Sequence, residues 1–145
     1  MMGDRDNKEN KENKKNKENE EKKESKESKE NNIEGIVEFN EWQVIDLRVA
    51  QIKKVEDISG ADKLYKLTLD VGEEIGERVI CAGIKQYYSK EELEDKKIVV
   101  FVNLKPRLMR GIESQGMLLA AVSGDHSEVV LVCPEKSIKN GCKIS

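Results

Sequence analysis

The chain has 145 residues, of which 38% are charged, and a formal net charge of −3. This length allows one folded domain with one sizeable core, and the small negative charge offers no overall attraction for nucleic acid. A function that needs a polyanionic ligand must therefore depend on a local basic patch.

Residues 1–32 are predicted to be a disordered arm. From Gly3 to Asn32 there is no aliphatic or aromatic residue, and 10 basic residues balance 10 acidic ones. A segment with nothing apolar to bury cannot offset the entropy lost on ordering. Because the acids cancel the lysines, a nucleic-acid-binding tail is the less favoured interpretation. Residues 33–145 are expected to form the domain, with 16 of the 26 basic and 19 of the 29 acidic residues.

The cysteines and the single histidine argue against a metal site. Cys81, Cys133 and Cys142 are odd in number and lack CxxC spacing, and His126 is the only histidine. We therefore expect three reduced, mostly buried thiols and no zinc site. No apolar run is long enough to span a bilayer. These features predict a cytoplasmic protein with no metal, no cofactor and no membrane association.

The first half of the domain is predicted to be mostly strand. Asn40 is a candidate cap for a short turn through Trp42. Apolar residues then alternate with polar ones over 45–49, and the pattern slips at Ala50 and Ile52, as a bulged or bent long strand requires. A clean alternation follows over 65–71, and a third strand is expected over about 78–82.

A short helix is predicted after the third strand, because Ser89 and Glu92 form an S-x-x-E capping box. Apolar runs follow at 98–102, 117–122 and 129–133, and Asn140-Gly141 signals a tight turn into a last short strand. Three strands, a short helix, two strands and extra C-terminal strands predict an all-β OB-fold. This fold is a five-stranded Greek-key barrel that binds oligonucleotides or oligosaccharides.

Two apolar runs, 98–102 and 117–122, lack the alternation of a strand with one solvent-exposed face. A second copy of the chain would cover the outer face of these strands, so we expect a homodimer. Cover by the C-terminal strands or by a loop is the alternative.

The connection between the fourth and fifth barrel strands, NLKPRLMRGIESQGM at 103–117, is the candidate binding site. Lys105, Arg107 and Arg110 lie within six residues, with no acid before Glu113. Arginine forks suit bidentate phosphate contact, lysine offers a point charge, and Pro106 stiffens the backbone. An ordinary solvated basic loop is the alternative on composition alone.

Polar and apolar side chains of the same connection complete the candidate site. The polar ones can hydrogen-bond bases, sugars or phosphates, and the thioethers are adaptable apolar surfaces. They are Asn103, Ser114 and Gln115 on the polar side, and Met109 and Met117 on the apolar side.

The order of these residues resembles the signature of the tRNA-binding domain family. Its members include the C-terminal domain of methionyl-tRNA synthetases, a free-standing dimeric tRNA-binding protein and the endothelial monocyte-activating polypeptide domain. The resemblance covers about Phe39 to Ile144, through DLRVAQI, ADKLYKLTLDVG, AGIKQYYSKEEL and K-P-R-x-M-R-G-x-x-S-Q-G-M. It implies an OB-fold that binds tRNA by shape with little sequence specificity. Such a module works alone or as a separately encoded subunit of methionyl-tRNA synthetase, without catalysis of its own.

The resemblance also implies which residues bind and how the chain assembles. Leu108 stands where many members carry another basic residue, and the short C-terminal part ending GCKIS is similar to that of the homodimeric members. The matching positions are Asn103, Lys105, Arg107, Met109, Arg110, Ser114, Gln115 and Met117, with Lys63 and Lys85 as second-tier candidates.

Two rival functions stay open. A peptide-binding chaperone branch of the same family is expected to lack the Ser114–Met117 sequence that is present here. A general single-stranded nucleic-acid binder would need aromatic platforms, and aromatic residues make up only 4% of the chain. Enzymatic activity is not predicted, because His126 has no obvious catalytic partner and the carboxylates form no recognisable pair.

Overall fold

A computed structural model describes residues 34–145, so the predicted arm at residues 1–32 lies outside the described residues. Within the described part, Phe39–Ser145 make up one compact unit. Its helices are α1 (Phe39–Trp42), α2 (Gly72–Ile75) and α3 (Lys90–Leu93). Its strands are β1 (Leu47–Asp57), β2 (Tyr65–Asp70), β3 (Glu77–Ala82), β4 (Lys97–Phe101), β5 (Arg107–Met109), β6 (Ile112–Ser114), β7 (Met117–Leu118), β8 (Ala120–Val122), β9 (Val129–Leu131) and β10 (Lys143–Ile144).

The main sheet is antiparallel throughout, in the order β3-β2-β1-β4-β7, with β10 added to β1. The long strand β1 serves two neighbours, because its first half pairs with β4 and its second half with β2. Its register with β2 shifts between Ile52 and Lys54, which is the predicted bulge. The bulge bends β1, and the bend lets one strand take part in both sides of a curved sheet.

The sheet curls into a nearly closed barrel because the segment after β6 binds the free edge of β3. The Gln115 backbone N–H donates to the Val79 carbonyl at 2.8 Å. The Val79 N–H donates to Gln115 Oε1 at 3.0 Å, and the Cys81 N–H donates to Ser114 Oγ at 3.0 Å. These bonds join the third strand to the segment leading into β7. The predicted all-β, OB-like barrel is confirmed.

The barrel interior is filled by branched aliphatic side chains from successive strands. In β2, Tyr65, Leu67 and Leu69 are buried and the residues between them are not, as the alternation predicts. Ile52 and Ile80 are also fully buried. Each such side chain contributes roughly 1.5–3 kcal/mol relative to an exposed one.

The predicted capping box is present in α3. The Glu92 N–H donates to Ser89 Oγ at 3.2 Å, and the Ser89 N–H donates to Glu92 Oε1 at 2.7 Å. Leu93 anchors this single turn in the core. The cap predicted at Asn40 is wrong, because Asn40 lies inside α1. Helix α2 was not predicted, since four residues are too few to show a helical period.

The two apolar runs behave differently. Residues 98–100 are buried, and the segment after β9 borders one edge of β4, since the Val99 N–H donates to the Val132 carbonyl. Residues 117–122 do not form one strand as predicted. The chain leaves the main sheet after Leu118, and β8 pairs with β9 in a separate hairpin.

The three thiols are free, but only one is buried. Cys81 lies in β3 within the fold, Cys142 is half-buried, and Cys133 is exposed where the chain leaves β9 for a surface segment. The expectation of mostly buried thiols is therefore wrong for Cys133.

Gly116 is the tightest point of the barrel closure. Its φ is +138°, and a Cβ there would lie 2.8 Å from the Phe101 carbonyl oxygen. We expect Gly116→Ala to lower the free energy of unfolding by about 2 kcal/mol in urea denaturation. Gly124→Ala is the matched control, because its Cβ would meet nothing within 4 Å. An effect of equal size at both positions would contradict this account.

Candidate nucleic-acid interface

The basic connection contains a β-hairpin that the sequence analysis did not predict. Strands β5 and β6 pair with Arg107 opposite Ser114 and Met109 opposite Ile112. Arg110 and Gly111 form a two-residue turn with φ values of +51° and +81°. Positive φ at both central residues is the type I′ geometry preferred in hairpins. Asn-Gly is the usual sequence of a type I′ turn, so Arg-Gly did not indicate a hairpin.

Arg110 occupies a backbone conformation that a residue with a Cβ adopts at a cost. The left-handed region is disfavoured by about 1–2 kcal/mol for residues other than Gly, Asn and Asp. The hairpin nevertheless carries an arginine at its tip. Its Nη1 lies close to Gly60 in the β1–β2 loop, 3.8 Å from the position of a Cβ built there. The turn therefore presents a cation beside a second loop.

The β1–β2 loop, residues 58–64, packs against the hairpin. Ile58 and Ala61 form a small apolar cluster with Cys81, and Met109 and Ile112 of the hairpin pack on it. In OB-folds the β1–β2 loop and the connection between the fourth and fifth strands are the loops that bind ligand. The structure brings these two loops together on one side of β3. We call the connection at residues 103–117, which contains the hairpin, together with this loop the loop interface.

The cations of the loop interface are available to an anion. Lys63, Lys105, Arg107 and Arg110 are exposed, and none forms an ion pair with a carboxylate among residues 34–145. A phosphate approaching them need not displace a bound acid from this part of the chain.

Lys85 differs from these four. Its Nζ lies 3.0 Å from Asp57 Oδ1 and 5.9 Å from the centre of the Tyr65 ring. Hydrogen bonds from Lys90 and then Lys85 hold the pKa of the Asp57 carboxyl below its usual range. Lys85 is thus held in place by neighbours, although its backbone N–H donates to the Lys63 carbonyl and so adjoins the loop interface.

A small cavity of about 70 Å³ lies beside the hairpin. The side chains of Met109 and Met117 line it together with Leu104. Arg107 and Ser114 line it as well, which places them on the same face of the hairpin as Met109. Leu108 lies on the other face and is 75% exposed.

The described residues show neither a metal-ligand cluster nor a helix able to cross a membrane. No three His, Cys, Asp or Glu side chains between 34 and 145 come together in a way that could hold a metal ion. None of the helices in that range has the length and apolar character needed to cross a membrane.

Comparison with known proteins identifies the family. Residues 47–143 match the family described as "Putative tRNA binding domain". The chain belongs to this tRNA-binding domain family. It is 47% identical over 108 residues to methionine–tRNA ligase of Pyrococcus furiosus, and 48% identical over 109 residues to that of Caldanaerobacter subterraneus. These matches cover 74% and 75% of this chain but only 14% and 16% of the ligases.

Solved structures of similar length share the fold. A MetRS-related protein from Pyrococcus horikoshii is 36% identical with a TM-score of 0.71, covering 76% of this chain and 98% of that one. The chaperone CsaA from Bacillus anthracis is 30% identical with a TM-score of 0.69, covering 77% of this chain and 100% of that one. A MetRS-related protein and a chaperone therefore share the fold of this domain.

The polar residues predicted from the tRNA-binding signature have their side chains engaged within the fold. Asn103 Oδ1 accepts from the Asp46 N–H at 2.9 Å, and Asn103 Nδ2 donates to the Val44 carbonyl at 2.7 Å. Ser114 is buried, and both it and Gln115 accept hydrogen bonds from β3. These three side chains hold the two ends of the basic connection in place.

Sequence analysis missed Arg78 as a support of this site. Its Nη1 donates to the carbonyls of Val102 at 3.1 Å and Gln115 at 3.3 Å, so one guanidinium joins both ends of the connection. Arg78 lies two residues before the buried Ile80 in β3, so both side chains are on the same face of the strand. A cation on the otherwise apolar face of a strand is the signal that could have revealed the role of Arg78.

The Arg-Gly turn gives a stability prediction with a matched pair of variants. Arg110→Asn restores the preferred Asn-Gly turn, and we expect it to raise the free energy of unfolding by about 0.5 kcal/mol. Arg110→Val places a β-branched residue at positive φ and should lower it by about 1 kcal/mol. Urea denaturation of the three proteins checks the order. A destabilised Asn variant would show that the guanidinium itself stabilises the fold.

Proposed function

We propose that this chain is a binding module, without catalysis of its own, that captures folded tRNA by its shape and backbone phosphates. Membership of the tRNA-binding domain family supports tRNA as the ligand. The observation that carries the proposal is the loop interface. There, four exposed cations, unpaired within residues 34–145, lie on the two loops that OB-folds use for ligands, and these loops pack against each other.

In this mechanism Lys105, Arg107 and Arg110 neutralise phosphates and release condensed counterions. Phosphate contacts carry no sequence information, which accounts for sequence-tolerant binding. The hairpin is tied to β3 and to the β1–β2 loop, so little conformational entropy is lost when tRNA binds. The net negative charge of the protein suppresses nonspecific attachment away from this patch.

Asn103, Ser114 and Gln115 act as positioning residues in this proposal. Their side-chain oxygens accept hydrogen bonds from the protein backbone, so these oxygens hold the connection in place. Met109, Met117 and exposed Leu108 provide the apolar contacts, while Lys63 adds a cation from the neighbouring loop. Lys85 contributes through Asp57 and Tyr65 by supporting that loop.

We further propose that the module serves methionyl-tRNA synthetase in the cytoplasm, as a separate subunit or as a free-standing protein. The support is the 47% identity to a segment that makes up 14% of a methionine–tRNA ligase. The three free thiols agree with a reducing compartment.

A peptide-binding chaperone is the second candidate, favoured by the structural similarity to CsaA over the whole of that chain. The unpaired cations of the loop interface favour a polyanion over an unfolded peptide. General single-strand binding has less support, because no aromatic residue lies on the hairpin. The tyrosines are engaged elsewhere: Tyr65 and Tyr87 donate to carbonyls, and Tyr88 accepts from the Leu131 N–H.

A homodimer would complete the module. The outer face of the β8–β9 hairpin is apolar, with Ala121 opposite Val130. Val130 is 56% exposed and Val132 is 42% exposed, whereas Leu131 between them is buried. A sheet face of this kind suits contact with a second copy. Two weak loop interfaces on one tRNA would then bind with avidity.

The tRNA site is tested by Arg107→Ala combined with Arg110→Asn, which removes two cations and keeps the turn. We expect at least about tenfold weaker tRNA binding at constant salt. The slope of log affinity against log salt should fall by about 2. Lys136→Ala with Lys139→Ala removes two exposed cations from the C-terminal segment and should change neither quantity by as much. Equal losses in both variants would refute the site.

The dimer surface is tested by Val130→Asp, which places a charge in the proposed contact. Analytical ultracentrifugation should show a dimer for the parent protein and a folded monomer for this variant, with weaker tRNA binding. Leu108→Asp introduces the same charge at another exposed apolar position and should remain dimeric. A parent protein that sediments as a monomer, or a dimeric Val130→Asp, would contradict the proposal.

A further inference from the structure

The cavity beside the β5–β6 hairpin runs from the loop interface toward the barrel wall. Its buried lining residues are Cys81, Ser114 and Gly116. Its exposed lining residues include Lys105, Arg107 and Met117. The unpaired cations therefore belong to the mouth of the cavity, and its inner end is made by β3 and the segment that closes the barrel.

The interior of the cavity offers an apolar surface and little hydrogen bonding. Met109, Met117 and Leu104 supply adaptable aliphatic and thioether contacts. The Ser114 hydroxyl already accepts from the Cys81 N–H and donates to the Gly116 carbonyl at 3.3 Å. A phosphate or sugar hydroxyl placed inside would lose its water without gaining a partner there. The lining of the cavity therefore favours a ligand with an apolar edge inside the cavity and an anionic group at its mouth.

The volume of the cavity limits which part of a ligand can enter it. An apolar cavity of about 150 Å³ holds one benzene ring. This cavity, at about 70 Å³, has half that volume and therefore admits the edge of one ring and not a whole base. The C5–C6 edge of a pyrimidine carries only hydrogens or a methyl group, whereas its pairing edge is polar. In paired RNA the C5–C6 edge faces the deep, narrow major groove, which side chains cannot enter.

We propose that this cavity receives the C5–C6 edge of one unpaired pyrimidine of the bound tRNA, while Lys105 and Arg107 hold the adjoining phosphates. The inference rests on the proposed tRNA-binding function and adds a single-nucleotide subsite to it. Because the pairing edge stays in solvent, the subsite distinguishes pyrimidine from purine and does not distinguish uridine from cytidine.

Cys81 provides a reporter inside the cavity. In the Cys133→Ser, Cys142→Ser protein it is the only thiol, and burial raises its pKa, so the reaction is followed at mildly alkaline pH. The rate of its modification by methyl methanethiosulfonate is measured alone and with saturating tRNA, blunt RNA duplex, oligouridylate, oligoadenylate or unfolded peptide. Binding of each is measured separately by titration. The duplex tests whether ligand binding in general, without an unpaired base in the cavity, is enough to slow the reaction.

We expect tRNA to slow the reaction about tenfold, oligouridylate to protect more than oligoadenylate, and the bound duplex to leave the rate unchanged. The methylthiolated protein should retain its fold and salt slope and bind tRNA about tenfold more weakly. If tRNA binds without protecting Cys81, or the duplex or oligoadenylate protects as well, the subsite is wrong and tRNA binding stands. If tRNA fails to bind, the proposed function is wrong. Protection by peptide alone assigns the cavity to a chaperone.

Discussion

The hydrogen bonds between residues 114–115 and the free edge of β3 are the constraint on which the rest of the structure depends. Without them the N–H groups of Val79 and Cys81 would lack partners on that edge. Side-chain acceptors from Ser114 and Gln115 satisfy them, because the segment is bending toward β7 and cannot present a regular strand backbone. The chain then turns at Gly116, where a Cβ would collide with the Phe101 carbonyl oxygen. Barrel closure and the base of the hairpin are therefore one feature.

The pairing of charges in the fold explains how an acidic protein keeps a cationic surface. Carboxylates elsewhere in the fold are paired with cations outside the loop interface. Asp46 lies 2.6 Å from Arg48, whose guanidinium lowers the pKa of that carboxyl, and Asp57 holds both Lys85 and Lys90. Those cations support the frame. The hairpin cations have no such partner among residues 34–145, so their field is directed to solvent. The sign of a local surface follows from pairing in the fold more than from net charge.

The parts of the fold that depend on local sequence were predictable. Alternation over 65–71 and the capping box at Ser89 are properties of neighbouring residues, and both appear as expected. The hairpin was missed because its turn uses Arg110 where Asn is usual. The engagement of Ser114 could not be predicted, since its partner Cys81 is 33 residues away. The distinction between Lys63 and Lys85 has the same origin, because Asp57 becomes a neighbour of Lys85 only in the folded chain.

The left-handed backbone conformation of Arg110 and the small number of unpaired cations both affect the affinity for tRNA. The backbone of a strained arginine at a hairpin tip is held in place by the paired strands below it, so the backbone conformation is fixed before a ligand arrives. Preorganisation lowers the cost of each phosphate contact and does not increase the number of contacts. With three cations on the connection at residues 103–117 and one on the β1–β2 loop, a single barrel remains a weak electrostatic binder at physiological salt. Tight capture of tRNA then requires either a nonelectrostatic contact, such as the Met-lined cavity, or a second barrel. The exposed valines of the β8–β9 hairpin are the apolar surface that a second barrel would need.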